Sequence, residues 1–134
     1  MAKITKIEGV GPANAKKLEK AGISTTQGLL EAGASAKGRQ DIAKTTGISL
    51  EKILEWVNHV DLFRIRGVGE EFADLLEAAG VDSVPELAQR NAGNLYEKLV
   101  SVNQAKELVR RLPSAKQVAD WVAQAKHMKK VVTH

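Results

Sequence analysis

Apolar positions along the chain fall at helical intervals, and no stretch alternates as a strand would. Leu50, Ile53, Leu54 and Val57 stand at i, i+3, i+4 and i+7, the stripe of one helix face, and Ser49 is placed to cap them. This predicts a helix over 50–61. Pro12 suits a first helical position, where a missing N–H costs nothing, and Gly22 suits the residue just past a helix end. A helix over 12–21 follows. Ser24 or Thr25 caps a short helix ending near Gly33, and Ser35 caps another that runs through Ile42 to Gly47. Residues 1–8 have room for one turn. In the second half, helices are expected over 70–79, from Ser83 with Glu86 at capping-box spacing, around 95–112, and from Pro113-Ser114 onward. The tail 126–134 is basic and is expected to fray.

These elements repeat. Gly9-Val10-Gly11 is echoed by Gly67-Val68-Gly69, Ala21-Gly22-Ile23 by Ala79-Gly80-Val81, and Leu29 by Leu87, all at an offset of 58. Each glycine pair follows two apolar residues three apart, Ile4 and Ile7 or Leu62 and Ile65. Trp121 answers Trp56 at an offset of 65, so about seven residues are inserted between Leu87 and Pro113, placed around 91–99. The expected domains are 1–61 and 62–126, with a basic tail at 127–134. No linker rich in Pro, Gly or Ser separates them, and the tight join near Asp61–Phe63 predicts a fixed relation between the halves.

A turn of the Gly-Val-Gly type brings the chain sharply into a helix. Glycine permits the backbone this needs, and Val10 or Val68 can point inward as an anchor. The first amides of the following helix have no intrahelical partner and lie at the positive end of its dipole. Such a turn either only packs two elements together or offers N–H groups to a phosphate. The longer pattern, from Ile4 to Leu18 with its copy from Leu62 to Leu76, resembles the helix-hairpin-helix motif of DNA repair, recombination and replication proteins. The tandem arrangement resembles uncharacterised small bacterial and archaeal proteins grouped as a domain of unknown function. The resemblance implies an all-α fold of two packed, five-helix-type domains. In many members of the motif family the hairpin amides grip DNA phosphates without reading sequence; in others the fold binds only protein. DNA-binding members often carry a basic residue after Gly-x-Gly-Pro, where this chain has Ala13.

Composition narrows the function classes. The chain has 134 residues, enough for one medium domain or two small ones near the lower limit of independent stability. It has no cysteine, hence no disulfide framework and no thiolate metal site or nucleophile. His59, His127 and His134 are far apart and form no ligand-spaced cluster. No metal or other cofactor is expected. No apolar run approaches a membrane span and no secretory h-region opens the chain, so a cytoplasmic location is expected. The net charge of +4 is a mild lean toward polyanions. Acidic residues are scattered, and no phosphate-binding Walker loop, His-x-x-x-His or Ser-His-Asp pattern is present, so no catalytic residue is expected.

The copies differ in charge. Residues 9–22 carry Lys16, Lys17 and Lys20 against Glu19, whereas 67–80 carry Glu70, Glu71, Asp74 and Glu77 and no base. Asn14 and Lys17 of the first copy become Phe72 and Leu75 in the second. These two are either ordinary core or a protein contact, and something the first copy lacks must cover them. Trp56 and Trp121 are candidates either for core or interdomain packing or for stacking on bases. Lys37, Arg39 and Lys44, the stripe Lys106, Arg110 and Arg111, and the tail lysines 126, 129 and 130 are either solvated surface or further phosphate contacts. The leading expectation is a non-catalytic module that binds double-stranded DNA nonspecifically through Gly9, Val10, Gly11 and Ala13, with Lys16, Lys17 and Lys20. Gly67, Val68 and Gly69 form a weaker second hairpin. The alternative is a protein-interaction or scaffold module that uses the acidic hairpin, Phe72 and Leu75.

Overall fold

The computed structural model of the chain describes residues 3–7 and 9–133. Met1, Ala2, Glu8 and His134, the last residue of the expected tail, lie outside them. Among the described residues the protein is all-α, with eight α-helices, one 3-10 turn and no strand. The chain divides into two compact units, 1–61 with 130–134, and 62–129. The first unit holds the 3-10 turn (Ile4–Lys6), α1 (Gly11–Lys20), α2 (Thr26–Ala32), α3 (Ala36–Thr46) and all of α4 (Leu50–Leu62) but its last residue, Leu62, which belongs to the second. The second holds α5 (Glu70–Ala78), α6 (Val84–Ala88), α7 (Ala92–Lys106) and α8 (Ala115–His127).

Capping residues start the helices where the sequence places them. Thr25 Oγ1 accepts from the Gly28 amide (3.0 Å), so Thr25 rather than Ser24 is the cap of α2. Ser35 caps α3, Ser49 caps α4 and Asn91 caps α7 in the same way. Ser114 and Gln117 form a complete capping box at α8. The box expected at Ser83 is half made. Ser83 accepts from the Glu86 amide, but the Glu86 carboxylate turns instead to Arg90 at 3.0 Å.

The backbone of the two repeats matches bond for bond over much of its length. Ile7 donates to the Ile4 carbonyl and Ile65 to Leu62, each at 3.1 Å; Val10 donates to Ile7 (3.3 Å) and Val68 to Ile65 (3.0 Å). At the far end of each hairpin helix, Ile23 donates to Leu18 and Gly22 to Glu19, as Val81 does to Leu76 and Gly80 to Glu77. This paired closure is the Schellman ending, with the glycine in the left-handed region. Matching residues fill the two cores: Leu18, Leu29 and Trp56 in one, Leu76, Leu87 and Trp121 in the other. Leu50 is an exception to its own periodicity. It is 48% exposed because it is the first residue of α4 and overhangs the helix end.

Two expectations are corrected. The inserted residues do not lie around 91–99. The caps Ser35 and Asn91 open α3 and α7 alike, but α7 has 15 residues to the 11 of α3. The joint that follows is also longer, 107–114 against 47–49. The insertion therefore extends the end of α7 and the loop after it. The tail does not fray either. α8 continues to His127, and beyond it Val132 is buried. Thr133 donates its amide to the Ala34 carbonyl (2.8 Å) and accepts from the Arg39 guanidinium. Burial of one valine and these bonds hold the end of the chain in the first unit.

Candidate functional site

In the first hairpin, Gly9, Gly11, Pro12 and Ala13 are exposed and Val10 is 1% exposed. The Val10 amide is spent on Ile7, so Val10 anchors the turn and offers no donor. Pro12 has none to offer. Gly11 stands at φ +68, where a side chain would be strained, and it opens α1. α1 has no side-chain cap and no acidic residue in its first turn. The exposed Ala13 belongs to that first turn, so its amide lies at the positive end of the helix dipole.

Downstream of Ala13 the helix carries its cations on one face. Lys16, Lys17 and Lys20 follow at i+3, i+4 and i+7, all exposed, opposite the buried Ala15 and Leu18. Glu19 lies off this stripe by helical angle. At 1.5 Å per residue, Lys20 sits about 10 Å along the axis from Ala13, so the stripe is long enough to meet more than one backbone phosphate. The structure thus brings Gly11, Ala13 and the three lysines onto one solvent-facing surface.

The second hairpin departs from the first at its second glycine. Gly9 and Gly67 share a left-handed φ (+89 and +94), but Gly69 is at −102 with extended ψ, unlike Gly11. The helix accordingly begins one position later, at Glu70. Its first turn carries Glu70 and Glu71, both exposed, which compensate the helix dipole from within. Gln124 of α8 holds the turn. Its Oε1 accepts from the Arg66 amide (2.8 Å) and its Nε2 donates to the Arg66 carbonyl (3.1 Å). A Cβ on Gly67 would come within 2.9 Å of Trp121 Nε1, against 3.8 Å between Gly9 and Trp56. The face that bears lysines on α1 is largely closed on α5: Leu75, the counterpart of Lys17, is fully buried in the unit's core. Leu75 is therefore not a surface for a partner. Phe72 is half-buried, with its ring 5.3 Å from that of Trp121.

The remaining candidates separate by burial. Trp56 and Trp121 are core residues beneath the first glycine of each hairpin, not stacking platforms. Arg39 is 5% exposed and donates to the carbonyls of Gly33 (2.8 Å) and Ala34 (3.0 Å) and to Thr133. It caps the carboxyl end of α2 and is not part of a basic surface. Lys37 and Lys44 are exposed, as are Lys106, Arg110, Arg111, Lys126, Lys129 and Lys130. Sequence reasoning passed over Gln124, Asn103 and the structural role of Arg39. Each acts on backbone groups distant along the chain or across a loop, and no local pattern marks such a pairing.

A family model described as a domain of unknown function, DUF4332, matches residues 8–128. No curated protein and no solved structure gives a match. Among the described residues no helix is long and apolar enough to cross a membrane.

Proposed function

We propose that this chain, which belongs to the DUF4332 family of uncharacterised domains, is a non-catalytic, cytoplasmic module that binds double-stranded DNA without reading its sequence. In this reading the two units are tandem helix-hairpin-helix-like domains, and the first one makes the contact. The observation that supports it is the lysine stripe on α1, which leads from an uncapped helix start with no acid in its first turn. A phosphate at Gly11 and Ala13 would meet the dipole, and Lys16, Lys17 and Lys20 would neutralise its neighbours. Base edges lie beyond such contacts, so affinity is expected to be low and indifferent to sequence. The exposed carboxylates Glu70 and Glu71 favour a second reading, a scaffold that meets a basic protein at the start of α5.

Fluorescence anisotropy of a labelled duplex in low salt separates the two. Lys16→Glu with Lys17→Glu should abolish binding and leave the melting curve intact, because both side chains are in solvent. Absence of binding by the unmodified protein at roughly 100 μM would end the DNA reading, since that corresponds to less than about 5.5 kcal/mol of affinity.

A further inference from the structure

We propose that the second unit carries its own polyanion contact, moved from its hairpin to the loop after α7, with Lys106, Arg110 and Arg111 as the phosphate-binding side chains. The proposal rests on the nucleic-acid reading above and deepens it by assigning a second binding element.

The second hairpin is unsuited to a phosphate, with its turn held by Gln124 and its helix start occupied by Glu70 and Glu71. The loop is the feature this unit has and the first lacks, since three residues join α3 to α4 where eight join α7 to α8. It is also a held loop. Asn103 Nδ2 donates to the Val109 carbonyl (3.1 Å) and Asn103 Oδ1 accepts from the Val109 amide (2.9 Å). One side-chain amide thereby pairs with both backbone groups of a single residue, as a neighbouring strand would. Val109 is buried and Leu112 packs on the core, so the chain is anchored on both sides of Arg110 and Arg111. Glu107, at φ 50, turns the chain back from the end of α7.

The cations ride on this support, all three exposed. Arg110 lines a groove of about 800 Å³ together with the carboxylates Glu107 and Glu71. Lys106 and Arg111 lie outside that groove's lining. Cations on a pinned loop lose less freedom on binding than cations on a slack one, so the same charges give more affinity.

The test is duplex binding by the full chain, read as affinity and as the slope of log affinity against log salt. Arg110→Glu with Arg111→Glu should weaken binding about tenfold or more near 50 mM salt and flatten the slope by roughly 2. Lys98→Glu with Lys116→Glu changes the same net charge on exposed residues elsewhere in the unit and should stay within about twofold of the unmodified protein. Equal losses in the two variants would overturn the proposal, because net charge alone would then account for them. So would an unchanged affinity in the arginine variant. If that variant melts early, Arg110→Gln with Arg111→Gln removes the same two contacts, and so should flatten the slope by roughly 2 with a smaller loss of affinity. Binding that survives the arginine changes but not Lys16→Glu with Lys17→Glu removes this contact alone. Failure of the unmodified protein to bind duplex removes both readings.

Discussion

At the scale of single residues, the packing of the first unit depends on two glycines at the α2–α3 corner. A Cβ on Gly38 would lie 2.1 Å from the Ala32 carbonyl oxygen, and one on Gly33 would lie 2.5 Å from Val57 Cγ2. The first obstacle is backbone at the end of a helix and cannot swing aside. Gly38→Ala is therefore expected to destabilise the protein by about 1–3 kcal/mol despite the better helix propensity of alanine, measured by urea denaturation. A neutral or stabilising outcome would mean that α2 and α3 do not approach as described. Arg39, the residue after Gly38, also serves this corner. Its charge is taken up by carbonyl groups at the end of α2.

At the scale of elements, the two hairpins are one device in two states. Each closes with the same hydrogen bonds, yet one has Gly11 in the left-handed region and an exposed lysine stripe, and the other has Gly69 extended and a buried Leu75. Replacing Glu70 and Glu71 by lysine would alter the charge of the second hairpin without altering this backbone. The terminal segment is a second element whose role is set by packing. Val132 is 2% exposed, so Val132→Ser should lower stability by about 2 kcal/mol, read from the chemical denaturation midpoint. A loss below about half a kcal/mol would mean that the end of the chain is not bound to the first unit.

At the scale of the whole molecule, the charge is modest, +4 over 134 residues, and its distribution matters more than its sum. The first unit, with 130–134, has ten Lys and Arg against seven Asp and Glu; the second has ten against nine. Weak binding driven by a few phosphates has a recognisable signature. Two to four contacts at the first hairpin give log affinity a slope of roughly −2 to −4 against log salt, the loop arginines steepen it by roughly 2, and duplexes of unrelated sequence should differ by less than about threefold. A strong preference for one sequence would show that base edges are being read, which this reading excludes.

The helical class, the caps, the Schellman glycines and the internal repeat were legible in the sequence because they depend on contacts within a few residues of one another. The charge contrast between the hairpins was legible for the same reason, since aligned copies expose it directly. Tertiary structure decided the rest. Leu75 is core and Leu50 is not, although both sit in apolar helical patterns, because burial depends on which neighbouring element covers a face. The insertion lengthens α7 and its loop because Asn103 and Val109 close that loop from six residues apart. Gly11 and Gly69 diverge although both are glycine in matching motifs. Glycine permits either conformation, and the turn packed around it selects between them; in the second copy Gln124 clamps that turn at Arg66.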